Sequence, residues 1–150
     1  MGNDQDLIKL CSGRILALAA DIPLTERLHD PQASVKERAP LCGSTVTIDV
    51  NMDHGVISEF GQDVKACALG QAAASVVASN VIGCTPAQIC KARDQLSAML
   101  QGGGPVPDAP FDALKVLEPA RGYKNRHASI LLSLEALVKA TGLIGKTACA

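Results

Sequence analysis

Lys65-Ala-Cys-Ala-Leu-Gly-Gln-Ala-Ala-Ala-Ser-Val-Val-Ala-Ser79 sets one cysteine at the head of a run of small residues. Alanine is the strongest helix former, and a stripe of Ala, Gly and Ser lets a second backbone come close. The stretch predicts a helix beginning near Cys67 and continuing to Ile82, with Gly83 as its stop. A sulfur at that start faces unpaired backbone N–H groups at the positive end of the helix dipole, a setting suited to a metal ligand or a nucleophile. The competing reading is a buried cysteine used as a small hydrophobe.

Just upstream, Ser44–Met52 alternates. Val46, Ile48, Val50 and Met52 take one face, and Thr45, Thr47, Asp49 and Asn51 take the other. That period of two is a strand with one buried face. Asp53-His54-Gly55 supplies hairpin-turn chemistry, Val56–Phe60 returns as the partner, and Asp63–Lys65 is read as a third short strand. The sheet then delivers Cys67 to the end that Cys42 enters from.

The remaining chain reads as helices. Asp6–Ala20 is amphipathic, and Asp21–Pro40, with three prolines, is read as a long connection over the surface. Thr85-Pro86-Ala87-Gln88 is a capping box opening a helix that turns Ile89, Ala92, Leu96, Met99 and Leu100 inward and stops at Gly102-Gly103-Gly104. Phe111–Leu117 is a short helix, Arg121–Arg126 a basic loop, and the last helix runs from His127 to Thr141. The result is an α+β chain: a three-stranded antiparallel sheet with about five helices, in one domain over 1–150 whose ends, 1–5 and 143–150, are expected to fray.

Composition narrows the function. Hydrophobic residues make up 47% and charged residues 19%, the balance of a folded globular chain. With two Phe, one Tyr and no Trp there is no platform for stacking bases, and a net charge of −1 creates no strong pull toward phosphate backbones or anionic lipid. Neither nucleic acid nor membrane is expected as a partner. Six cysteines without a basic leader segment point to the cytoplasm, where thiols act as ligands, nucleophiles or packing rather than as disulfides.

Three residues stand out for chemistry. Cys42 lies in the tight turn Pro40-Leu-Cys-Gly-Ser44, Cys67 at a helix start, and His127 in the first turn of the last helix. Together they form a candidate Cys2His metal set with an open fourth position. His29 and His54 fall in polar, turn-like surroundings and are read as surface residues. Cys84 and Cys90, six apart, would fall on different sides of any helix that contains both, Cys11 is read as packing on a helix face, and Cys149 as part of the tail. The Lys124/Arg126 cluster could hold an anion or a partner's carboxylates, or be an ordinary solvated loop. No phosphate loop, HExxH or nucleophile elbow is present.

These residues resemble the iron–sulfur cluster assembly scaffolds of the NifU/IscU/SufU type over about Leu7 to Ala140. Pro40-Leu41-Cys42-Gly43, Cys67-Ala68-Leu69-Gly70-Gln71-Ala72-Ala73-Ala74-Ser75 and His127-Ala128-Ser129-Ile130-Leu131 carry the likeness. The resemblance implies an IscU-like fold with helices on one side of the sheet. It also implies a non-enzymatic scaffold that takes sulfur from a cysteine desulfurase, holds a [2Fe–2S] cluster or zinc, and passes cargo to acceptor iron–sulfur proteins. Cys42, Cys67 and His127 carry over as ligands. The family's aspartate after Cys-Gly is Ser44 here, and its third cysteine is Ala128, so a fourth ligand such as Asp63 would be needed. The expected function is therefore a scaffold-like carrier of metal or cluster. The alternative is a zinc-binding or metal-free interaction and regulatory module of the same machinery.

Overall fold

The hairpin forms where the alternation places it. Asp53 pairs with Val56, and His54 and Gly55 between them take positive φ of 55° and 80°, a two-residue turn whose twist suits antiparallel strands. The computed structural model describes residues 13–40 and 43–145. Its elements are α1 (Gly13–Ala20), β1 (Ala33–Arg38), β2 (Thr45–Asp53), β3 (Val56–Lys65), α2 (Ala68–Asn80), α3 (Pro86–Gln101), a 3-10 segment (Asp112–Gly122) and α4 (Lys124–Gly145).

The sheet is three-stranded and antiparallel, in the order β1-β2-β3. One strand differs from the expectation. Asp63–Lys65 is the end of a single long β3, which continues past a bulge at Ser58: Asn51 pairs with Glu59, and Met52 with Ile57. The third strand is instead Ala33–Arg38, within the span read as a connection. Its Ser-Val-Lys-Glu-Arg sequence has no apolar alternation to show it, because an edge strand carries charge to deter further pairing.

Before reaching β1 the chain binds the sheet from outside. The Gln62 N–H donates to the Leu24 carbonyl (3.0 Å) and Gln62 Nε2 to the Pro23 carbonyl (3.1 Å), so the strap that follows α1 passes along the β3 edge. It then crosses the face carrying Thr47, Asp49 and Asn51. Gly61 is the crossing point, where a Cβ would collide with the Glu26 carbonyl oxygen. Asp49 is fully buried and is the strap's anchor. It accepts from Arg27 Nη2 (3.0 Å) and Nε, from the Leu28 N–H (3.0 Å) and from Ser34 Oγ (2.7 Å).

Helices fill the other face. α4 packs across β1 and β2, α2 lies against α1 and α4 and touches β3, and α3 packs on α4. Val46, Ile48, Val50, Ile57, Leu69, Val77, Ile89, Leu96, Ile130, Leu134 and Leu137 are all buried between these layers. By length and composition α4 could also cross a membrane. Here it is the core helix of the layer, with Ile130, Leu134, Leu137 and Ala140 out of solvent.

The expected helix ends hold in part. Thr85 Oγ1 accepts from the Gln88 N–H (3.2 Å) while the Thr85 N–H donates to Gln88 Oε1 (2.9 Å), and Gly102 at φ 97° closes α3. α2 stops at Asn80, short of Ile82, because the next residues join the sheet edge: the Gly83 N–H donates to the Ile57 carbonyl (2.8 Å) and the Ile57 N–H to that of Cys84 (2.9 Å). The helix expected over Phe111–Leu117 is a 3-10 segment running to Gly122 with Pro119 inside it. α4 starts at Lys124, so most of the expected basic loop is helical.

Burial opposes ionisation of Asp49, yet hydrogen bonds from Arg27, Ser34 and the Leu28 N–H, with the guanidinium charge, outweigh it and hold the carboxyl below its ordinary value. A carboxyl depressed in the folded state contributes stability above its unfolded value, and loses it as pH falls through the folded one. Asp49→Asn should therefore cost about 1–3 kcal/mol near neutrality and flatten the acid limb of the stability curve. Urea unfolding across the acid range measures both. An unchanged acid limb would show that Asp49 does not anchor the strap.

Candidate functional site

Cys67 is the N-cap residue of α2, with extended backbone (φ −66°, ψ 168°). Its carbonyl accepts the first helical bond, from the Gln71 N–H at 2.8 Å. Its side chain makes no capping hydrogen bond, so the sulfur is left for other partners. The thiol is free and half-buried.

What faces it comes from α4 and from the start of β2. Ser129 Oγ lies 3.5 Å from Cys67 Sγ and donates to Ser44 Oγ at 2.9 Å. Ser44 and Ser129 are both buried, at 4% and 2% exposure. Residues distant in sequence thus meet in a row of one thiol and two hydroxyls. Gly70 makes the meeting possible. A Cβ there would strike Ser129 Oγ and come within 3.2 Å of the Ser129 carbonyl oxygen, so α2 and α4 approach this closely only over a glycine. Ser44 sits beside Thr45, which pairs with Lys65 two residues before Cys67. That register brings the β2 start and the α2 start to one end of the sheet.

His127 lies in the first turn of α4, half-buried, with Nε2 3.1 Å from the Ala120 carbonyl oxygen and 3.0 Å from that of Arg121. Carbonyls only accept, so this ring nitrogen carries the proton, and Nδ1 is the one left to ligate. The hydrogen bonds tie the imidazole to the 3-10 segment rather than to Cys67. Asp63, considered as a fourth ligand, pairs with Thr47 on the strap face of β3, beside Arg27 rather than Cys67. Cys42 lies outside the described residues. Among the described residues no three His, Cys, Asp or Glu side chains come together as a metal-holding group.

The other described cysteines and histidines sit apart from this end. Cys84 is buried, its Sγ donates to the Asn80 carbonyl (3.2 Å), and burial pushes its thiol up, as befits packing. Cys90 is disulfide-bonded, against the expectation of free thiols throughout. His54 is exposed in the hairpin turn beside Asp53 (2.8 Å). His29 is exposed on the rim of an open cavity of about 830 Å³ beneath the strap, a feature the sequence reading did not foresee. The sequence also missed the role of Ser129. Its signal was the small residue after the His127-Ala128 pair, opposite the glycine of Cys67-Ala-Leu-Gly70.

No family model matches the chain, and no curated protein matches it. Solved structures do. A nitrogen-fixing NifU-like protein (N-terminal) from Brucella abortus is 42% identical with a TM-score of 0.90, covering 95% of this chain and 99% of that one. A candidate iron–sulfur cluster assembly scaffold protein for the SUF system from Fervidobacterium islandicum AW-1 is 18% identical with a TM-score of 0.78, covering 89% and 97%. A hypothetical protein is 20% identical, also at 0.78, covering 85% and 93%. These last two share the fold.

The α2–α4 contact has a direct test. Gly70→Ala should destabilise the chain by about 1–3 kcal/mol. Ser129→Ala in the same chain should recover part of that loss, because it removes the struck oxygen. Urea midpoints of the single and double variants give the coupling, and strictly additive losses would place the clash elsewhere.

Proposed function

The chain belongs to the NifU-like family of iron–sulfur assembly scaffolds, and on that footing we propose that it serves the assembly machinery as an interaction and regulatory module. Membership of a scaffold family assigns it no enzymatic turnover. The observation that carries the reading is the row Cys67–Ser129–Ser44. Where the family resemblance calls for an aspartate there is a serine hydroxyl, and Ala128 replaces a thiol.

Hydroxyls are poor substitutes for thiolate or carboxylate as iron or zinc ligands, because they stay neutral and bind weakly. The described donors therefore do not fit a tightly held [2Fe–2S] cargo, which asks for four ligands that are mostly thiolates. What the fold retains is the surface: a thiol at a helix start, at the end of the sheet from which α4 begins. The partner of this reading is a cysteine desulfurase, bound or modulated through that end, with acceptor iron–sulfur proteins downstream.

A second reading keeps the cargo. Cys42, Cys67 and His127 would hold zinc or a labile cluster for transfer, supported by the uncommitted Cys67 sulfur and the free Nδ1 of His127. Here Cys67 would be the anchor and His127 the weaker ligand, since its ring is already tied to two carbonyls.

Elemental analysis and anaerobic reconstitution with iron and sulfide separate the two. The module reading expects a colourless chain with at most about one zinc that changes the sulfide output of a cysteine desulfurase. About two irons per chain with charge-transfer bands would overturn it in favour of cargo. Cys67→Ser sharpens the comparison. It should leave the effect on the desulfurase intact under the first reading, and abolish metal retention under the second.

A further inference from the structure

Cys90 is held in a disulfide, while Cys67 and Cys84 are free thiols. The chain has six cysteines, so the partner is Cys11, Cys42 or Cys149, all three outside the described residues. The helices decide between them. Arg93 of α3 meets Glu135 of α4 (3.4 Å), and Thr85, Pro86 and Ala87 border an open cavity of about 420 Å³ together with Ile144 and Gly145. α3 and α4 therefore run antiparallel, and by count Cys90 stands level with Val138.

Cys42 is out of reach. It precedes Gly43 in the turn closed by the Ala39 N–H and the Ser44 carbonyl, and Ser44 touches Ser129. Ser129 lies about 13 Å along α4 from Val138. Two residues of chain span about 7 Å and a disulfide joins Cα atoms about 7 Å apart at most, before the 8–10 Å or so between packed helices is crossed. Cys11 is on the wrong flank. It precedes α1, which packs on α2 and touches the 3-10 segment. The loop leading into that segment sits on the Lys91 and Gln95 side of α3, where Asp108 pairs with Lys91 (2.8 Å) and its N–H donates to Gln95 Oε1 (2.9 Å). At about 100° per residue, Cys90 points away from that side.

Cys149 fits. Pro86, one turn before Cys90 and within about 40° of it around the helix, borders the same cavity as Gly145. The four residues from Gly145 to Cys149 reach up to about 14 Å, and Pro86 to Cys90 is about 6 Å of helix. Cys90 is buried at 8% exposure although Ala87 and Asp94, its neighbours on that flank, are exposed. Its sulfur is thus covered from outside α3, on the side where α4 ends.

We propose that Cys90 and Cys149 form a thiol–disulfide latch, which fastens residues 146–150 between the end of α4 and the first turns of α3. A dithiol opens it: the S–S bond breaks, Cys90 and Cys149 each gain a proton and an electron as thiols, and the dithiol leaves as its own disulfide. Exchange with glutathione disulfide closes it, releasing two glutathione thiols. Closed, the latch ties together two helices that meet otherwise through side-chain packing and the Arg93–Glu135 pair. Open, it frees the segment and uncovers a thiol on α3. This end of α4 is the one opposite Ser129, so the row Cys67–Ser129–Ser44 is left as it is. The latch depends neither on metal nor on the proposed function.

The test uses the full chain, oxidised with glutathione disulfide, denatured and alkylated before digestion with trypsin. Mass mapping should join the peptide Ala66–Lys91 to Thr147–Ala150. Cys90→Ala and Cys149→Ser should each abolish the link, and Cys11→Ser should keep it. Dithiothreitol should remove the link from the folded chain, and glutathione disulfide should restore it. Hydrogen exchange at 86–90 and 141–145 should rise about tenfold on opening, with 67–71 unchanged. Cys149→Ser alters the tail and not the core, and it should show the open-state exchange even under oxidant. A link from Cys90 to the Cys11 or Cys42 peptide, or an alkylated Cys90 in the oxidised chain, overturns the proposal. So does a link found only between two chains when ¹⁵N-labelled and unlabelled protein are mixed. A bond that survives dithiothreitol in the folded state would make it a permanent brace, and equal exchange in both states would show that it fastens nothing; either result also overturns the latch.

Discussion

α2 and α4 can touch at Cys67 only because residue 70 has no side chain. The gap left at Gly70 admits Ser129 Oγ, which reaches both the thiol and Ser44. A larger residue would push α4 away from α2. Because α4 also lies across β1 and β2, the displacement would pass into the sheet. Interiors pack at nearly crystalline density and have little slack to absorb such a shift. The site end and the core are thus held by a single close approach.

Much of this was legible because its signals are local. The period of two in Ser44–Met52, the turn at His54-Gly55 and the capping box at Thr85–Gln88 each needs only a few neighbouring residues, and each formed as expected. Cys67 at a helix start is of the same kind. β1 was illegible for the opposite reason. Its stability comes from pairing with β2 and from the Asp49 anchor, which are tertiary facts, and its own residues look like those of a polar loop. The helix start at Lys124 was missed because the basic residues there suggested a solvated turn, and their cost to the helix dipole hid the element.

The site was only partly legible. The sequence pointed to Cys67 and His127, but nothing in it showed that the His127 ring would be held by the carbonyls of the 3-10 segment, since that depends on how a segment interrupted by Pro119 packs. Ser44 was visible only as a departure from the family pattern. That it bonds to Ser129, 85 residues away, required the fold.

The strap over the second face has a consequence for how anything meets this molecule. Helices occupy one broad surface of the sheet, and the segment anchored on Asp49 spans the other. A visiting protein therefore has neither flat surface on which to lay a sheet or helix of its own. Recognition thus cannot use an open face of the sheet, and it falls to the β1 edge, the ends of the sheet and the outer surfaces of the helices and strap.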